Sequence, residues 1–374
     1  MSEQLDQARG LVRDLVADHA CEWDLAGALP EALLRKLGAA GLLCAEVPAA
    51  HGGIGATSRD SGEFTAHVGS LCSSLRSIMT SQGMAAWTVR RLGNPAQQSA
   101  LLPQLTSGRL AAVGFSEPQA GSDLSAITTE IRPDGDFVVV DGGKKWVTAA
   151  AYADLLLIAG RFDGDAAFVV IPKDAPGVRV ERIASPLGCR AAGHADLFFD
   201  GVRLPADSVL GQSGLPLPLI VTTALAYGRI SVAWGCVGIL RACLDAAVRH
   251  AGRRHQSGTA LAAHQLVQRH LAELYIAEQS ASRACEHASG HWDKGSPDMV
   301  VSTVLAKHVS AGHAARAAAT AVQVLASAGS VDGETVARAY RDAKLMEIIE
   351  GTNEICELIL AQHALAASRA TAAA

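Results

Sequence analysis

The block from residue 111 to residue 210 differs in texture from everything on either side of it, and that change constrains the fold more than any motif does. Inside it, short β-branched and aromatic runs at 136–140, 166–171, 177–180 and 196–199 alternate with Gly, Pro and Asp turns, as strands at close spacing do when no helix separates them. Such a block predicts a small antiparallel sandwich or barrel. Before it, Leu11, Leu15 and Val16 share a helical face, as do Leu33, Leu34 and Leu37, and then Leu71, Leu75, Ile78 and Met79. Gly and Pro clusters at 48–55 and 93–95 punctuate this first helical stretch. After Pro216 and Pro218 the helical period returns in four long runs, 219–252, 261–290, 298–328 and 335–367, which predict an up-and-down bundle. The expected fold class is α+β, with an all-α domain over 1–110, an antiparallel β domain over 111–212 and a four-helix bundle over 213–374.

A chain of 374 residues, 49% of them hydrophobic, exceeds what a single core accommodates. Its net charge of −5 gives no overall pull toward nucleic acid or anionic lipid, so neither is expected as a partner. The N-terminus is acidic and amphipathic where a secretion signal needs a basic start, and the apolar runs are too short or too Pro-interrupted to span a bilayer. A cytoplasmic protein is expected. Eight cysteines are scattered singly, with no Cys/His cluster at metal-ligand spacing, so no metal site is assigned.

Several short constellations can carry chemistry. Residues 115–123, FSEPQAGSD, pack hydroxyls and glycine into one turn, which is either an ordinary surface turn or a loop offering N–H and hydroxyl donors to a ring or a phosphate. In GKKWVT, 143–148, Trp146 stands two residues from Thr148; on a strand the two share a face. The indole is then either a core residue or a wall against a planar cofactor. The basic turn RRHQSG, 253–258, followed by His264 and Gln265, suits a helix C-terminus by its dipole, or an anion held by Arg254. Arg229 falls on the apolar face of a helix, where a charge needs a partner. Glu350 precedes a glycine in MEIIEGTNEI, 346–355. It is either one of an i,i+4 pair with Glu354 on a solvated face, or a carboxylate at a helix break whose pKa rises by desolvation until it serves as a base.

Taken in order, SEPQAGSD (116–123), GKKWVTAA (143–150), LFFDGVRLPADSVLG (197–211), RRHQSGTALAAHQLVQ (253–268) and RDAKLMEIIEGTNEI (341–355) resemble the acyl-CoA dehydrogenase family of flavoproteins over essentially the whole chain. The resemblance implies FAD as cofactor and a homo-dimer or homo-tetramer in which a neighbouring subunit completes the site. It also implies an electron acceptor such as an electron-transfer flavoprotein. Carried over by motif, Ser116, Gly121 and Ser122 would contact flavin or substrate, Trp146 and Thr148 would line the isoalloxazine, and Arg254, Gln265 and Gln323 would hold the pyrophosphate or adenosine across the interface. Thr352 and Glu354 would follow on the other side. Glu350 would take the α-proton of an acyl thioester while hydride leaves the β-carbon for the flavin, and Arg229 would tune its charge.

Departures from the family pattern bear on substrate. Ser257 stands where a phenylalanine is usual, Ala326-Ser327 replace a double glycine, and Ile349 replaces the tyrosine often found before the base. The turn 161–165 is short, and Ala-Ala-Gly-His follows Arg190 in place of a polar stretch, which implies fewer contacts to coenzyme A. Overall similarity, with no single motif behind it, points to the branch that oxidises small hydroxylated acyl groups on an acyl carrier protein for hydroxymalonyl or methoxymalonyl extender units. Against this stand a catabolic short-chain acyl-CoA dehydrogenase, a flavin monooxygenase or oxidase on the same fold, and a silent flavin-binding scaffold.

Overall fold

The computed structural model describes residues 3–17, 19–211 and 213–373. Six helices come first: α1 (Glu3–Val16), α2 (Ala20–Ala26), α3 (Glu31–Ala39), α4 (Ser58–Leu71), α5 (Ser73–Leu92) and α6 (Pro95–Thr106). Two of their starts are written locally. Thr57 caps α4 by accepting the Asp60 amide, and Asn94 and Gln97 form a reciprocal capping box at α6, with Pro95 in its first turn. α5 is buried along most of its length, since it runs between the first domain and the bundle.

Seven strands follow: β1 (Ala111–Gly114), β2 (Glu130–Asp134), β3 (Phe137–Val147), β4 (Leu155–Phe162), β5 (Asp165–Pro172), β6 (Val178–Arg182) and β7 (Ala195–Pro205). They form one sheet in the order β1-β4-β2-β3-β7-β6, with β5 on β4. Most pairings are antiparallel, but β2 meets β4 in parallel at Glu130 opposite Arg161, and β1 and β4 run parallel from Ala111 opposite Leu155 to Gly114 opposite Ile158. The β2–β3 hairpin lies between them in sequence, and parallel strands need just such a long crossover. Strand composition carries no direction, so this pairing was not predictable.

The bundle comprises α7 (Leu217–Arg253), α8 (Gln265–Asp293), α9 (Met299–Leu325), α10 (Thr335–Met346) and α11 (Asn353–Ala373), with a short two-stranded ribbon, β8 (His255–Gln256) and β9 (Thr259–Ala260), after α7. α7 is long and apolar enough to cross a membrane, but 72% of that window is buried inside the fold. The expected run 335–367 is two helices, interrupted where Glu350 (φ +58) and Gly351 (φ +90) take consecutive left-handed conformations. The largest core joins the domains: Met84 and Ala85 of α5, Leu157 and Phe168 of the sheet, and Ile230, Trp234 and Val237 of α7 belong to one cluster.

Candidate active site

Two buried cations build the break at Glu350. Arg229, on α7, donates from Nε to the Glu350 carbonyl oxygen at 3.1 Å. Lys307, on α9 and fully buried, donates from Nζ to the Gly351 carbonyl at 2.7 Å, the Glu347 carbonyl at 3.4 Å and the Asn353 side chain at 3.3 Å. Carbonyls released by the broken helix are therefore satisfied by charge-assisted bonds. Burial lowers the pKa of both cations. The partner that Arg229 needs is thus the Glu350 backbone carbonyl, and no side-chain ion pair to Arg229 forms among the described residues. The Glu350 amide meets no acceptor among the described residues, so the break leaves a free donor beside the carboxylate.

The Glu350 carboxyl points at α7, where Gly228 has no side chain. A Cβ added there would sit 2.6 Å from the carboxyl carbon and 2.7 Å from Met84 Cε. Oε2 is buried without a hydrogen-bond partner. Burial pushes this carboxyl up to about 7, against the pull of Arg229, Lys307 and Arg76. A strained, desolvated carboxylate with an unpartnered oxygen is equipped to accept a proton near neutrality. Glu354 is exposed on α11, across the break, so the solvated i,i+4 pair does not form. Thr352 accepts the Ile355 amide at 3.3 Å and caps α11.

The sheet presents a second group of predicted residues. Trp146 and Thr148 do come together, though not by strand alternation. β3 shifts register between Lys144 and Val147, Trp146 takes φ +56, and Thr148 lies past the strand's end. Both side chains instead meet His194, whose ring is 6.0 Å from the indole and whose Nδ1 is 3.3 Å from the Thr148 hydroxyl. The indole is 56% exposed, while burial and then the nearby Arg76 and Arg182 push His194 down to about 4, and its Nε2 is buried without a partner. Ser116 is tied alongside, its carbonyl accepting the Lys145 amide at 2.8 Å; Gly121 and Ser122 are exposed, with open space beside Gly121.

Beneath that loop lies a pair that sequence reasoning missed. The side chains of Glu117 and Lys144 are 2% and 0% exposed and meet at 2.6 Å. Gln119, Thr128 and Thr129 supply five further donors to the same carboxylate. Burial alone would raise Glu117, but Lys144 and Thr129 hold it down at about 2. Lysines alternating in and out of a strand were the available signal. Arg76, on α5, was missed as well: it is 0% exposed, its contacts are Thr80 and the Met346 sulfur, and its Nε has no partner.

The remaining predicted residues lie elsewhere. Arg254, the C-cap of α7, accepts the Leu261 amide at its carbonyl across the β8–β9 ribbon, and Gln265 opens α8. Arg249, His250, Arg253 and Arg254 line an open cavity of about 330 Å³. Roughly 25 residues of helix separate Arg254 from Arg229, about 37 Å at 1.5 Å per residue. Gln323 is exposed near the end of α9. The fold thus assembles Glu350 with Arg229, and Trp146 with Thr148 and Ser116, but holds Arg254 and Gln265 far from the Glu350 carboxylate.

Residues 2–109, 112–202 and 218–365 match the N-terminal, middle and C-terminal domains of acyl-CoA dehydrogenases. The human mitochondrial short-chain specific acyl-CoA dehydrogenase is 32% identical over 94% of this chain and 86% of its own. Glutaryl-CoA dehydrogenase of Desulfococcus multivorans is 29% identical over 97% and 96%. The solved structure of FkbI, for biosynthesis of the methoxymalonyl extender unit of the Fk520 polyketide immunosuppressant, is 64% identical, with a TM-score of 0.92 over 96% of this chain and 99% of that one. Three matching domains in the same order as the helical, β and helical segments place this chain in the acyl-CoA dehydrogenase family of FAD-dependent oxidoreductases acting on CH–CH bonds.

Proposed function

We propose that this protein dehydrogenates a small, polar acyl thioester carried by an acyl carrier protein, in the formation of a methoxymalonyl-type polyketide extender unit. The 64% identity to FkbI over nearly the whole of both chains carries this assignment. The short 161–165 turn, which closes the β4–β5 hairpin between Phe162 and Asp165, supports it by offering little surface to coenzyme A.

In this reading Glu350 removes the α-proton. Its free amide donates to the thioester carbonyl oxygen, where negative charge develops as the proton leaves, and Arg229 and Lys307 hold the backbone that aims both groups. Bound FAD supplies the acceptor for the hydride leaving the β-carbon. The residues fit that cofactor: an exposed indole stands beside a hydroxyl and a buried imidazole nitrogen without a partner, a surface suited to a planar ring with hydrogen-bonding edges. Trp146, Thr148, Ser116, Gly121 and Ser122 would hold its flavin end. Arg254, Gln265 and Gln323 would hold the pyrophosphate and adenosine of a neighbouring copy, since Arg254 lies too far along α7 to serve its own Glu350. Thr352 and Glu354 would border the same cofactor. Exposed Leu266, Tyr275 and Ile276 on α8 and Leu358 and Leu365 on α11 support a homo-oligomer built through the bundle. An electron-transfer flavoprotein would take the electrons onward, in the cytoplasm.

Anaerobic titration of the flavoprotein with a thioester panel tests the assignment. Hydroxylated acyl groups on an acyl carrier protein should bleach the flavin faster than their coenzyme A esters; bleaching by coenzyme A esters alone would sink the carrier-protein substrate. Stoichiometric hydrogen peroxide would point to an oxidase instead.

A further inference from the structure

We propose that His194 is a positioning residue for the flavin: by donating from Nδ1 it fixes the Thr148 hydroxyl as a hydrogen-bond donor turned toward the ring. This rests on the dehydrogenase reading above, in which Thr148 lines that ring. Backbone on both sides brings the two side chains together. Ala149 and Ala151 donate to the Ala192 and Gly193 carbonyls, each at 3.1 Å, so the segment after β3 is zipped to the segment before β7. The His194 carbonyl accepts the Ile183 amide at 2.9 Å, and Ser81 Oγ on α5 donates to the Thr148 carbonyl at 3.2 Å. Trp146 at φ 56 and Ala149 at φ 66 bracket Thr148, two left-handed residues that are not glycine. Such strain persists only where the surroundings impose it, and it gathers at sites that bind or react.

Which of the two donates follows from what each ring nitrogen meets. Nδ1 lies 3.3 Å from Thr148 Oγ1, the only hydrogen-bond partner of the imidazole among the described residues, and Nε2 is buried with none. Burial first, then Arg76 and Arg182, keep the ring neutral, so one nitrogen carries a hydrogen and the other a lone pair. A hydrogen on Nε2 would be a buried N–H without an acceptor, the rarest unpaired group in a folded interior. It would also make Thr148 the donor to Nδ1 and leave the hydroxyl no hydrogen to give elsewhere. A hydrogen on Nδ1 donates to Oγ1, leaves only a lone pair unmatched, and frees the Thr148 hydrogen while strengthening it as a donor. Thr148 is half-buried beside the exposed Trp146 indole, so that hydrogen has an open side to face. A donor aimed at a flavin ring tunes its electronics and favours the electron-rich reduced form.

Nitrogen-15 spectra of ring-labelled histidine in the FAD-loaded protein read the tautomer, with the His194 signals assigned by their loss in His194→Asn or His194→Leu. A neutral ring protonated at Nδ1 is expected; protonation at Nε2, or at both nitrogens, would overturn the proposal and leave the dehydrogenase reading intact. A double-mutant cycle then reads the path of the effect through FAD affinity and the flavin midpoint potential. His194→Leu and Thr148→Val should each weaken FAD about five- to tenfold, as one hydrogen bond predicts, and lower the potential. His194→Leu added to Thr148→Val should change neither further, because it acts through that hydroxyl. Equal losses from His194→Leu in both backgrounds would make the residue merely structural and overturn the proposal. Thr148→Val that leaves both affinity and potential untouched would overturn the placement of Thr148 against the flavin, and the proposal with it.

Discussion

Two buried glutamates sit in this chain under opposite conditions. Glu117 has a donor for every lone pair, three hydrogen bonds on each oxygen, one of them from Lys144. Glu350 has an oxygen with no partner, although three cations lie near enough to pull on it. The first is held at about 2 and the second raised to about 7. Burial pushes both upward, so direct donors decide the difference. A carboxylate intended for support is saturated; one intended to take a proton is left a vacancy.

The comparison breaks first at Glu350 itself. Glu350→Gln should keep FAD and the fold but lower α-proton abstraction by about 10³- to 10⁴-fold, read by single-turnover flavin reduction. In the wild type, kcat/KM should rise with pH through about 7 as the carboxyl ionises. Its linkage to stability runs the other way: a raised folded-state pKa means a contribution fully present below the ordinary 4.5 and lost as pH climbs through about 7. Glu117 mirrors it, contributing above 4.5 and losing that contribution as pH falls through about 2.

Lys144→Met turns the saturated site into an uncompensated buried carboxylate and should cost about 3–5 kcal/mol in denaturant unfolding. A smaller loss would mean that the threonine donors alone suffice for Glu117. Gly228→Ala sharpens the other half of the contrast, because its methyl group occupies the space of the Glu350 carboxyl. About a 100-fold drop in kcat, at nearly unchanged stability, is the expected outcome. Smallest is Ala326, which sits at φ 53, ψ −133, a conformation that favours glycine. Ala326→Gly should stabilise by about 1 kcal/mol in thermal or urea unfolding, since glycine relieves that conformation.

Much of this was legible because it is local. The helix, strand, bundle order follows from the switch between periods of 3.6 and 2. Ile-Glu-Gly within an apolar helical run located the break, and Arg229 stood out as a charge on an apolar face. Trp146 and Thr148 were paired for the wrong reason, because no pattern announces a register shift. Lys307 escaped notice although it interrupts α9 as Arg229 interrupts α7, and Arg76 escaped it among the residues of the α5 face.

Local pattern along the chain is enough for the order of helical, β and helical segments and for the residue types needed to take a proton and to hold a flat cofactor. Tertiary structure alone decided which buried charges find partners. Lys144 meets Glu117 across 27 residues, and Arg76 reaches Met346 across 270. Periodicity reports which face of an element is buried, a property of neighbours three or four residues apart. Whether a buried oxygen is saturated or left open depends on side chains brought in from distant segments. That is why Glu350 could be picked from the sequence, while the absence of a donor on its Oε2, which leaves the effect of burial on its pKa unopposed by direct hydrogen bonds, could not.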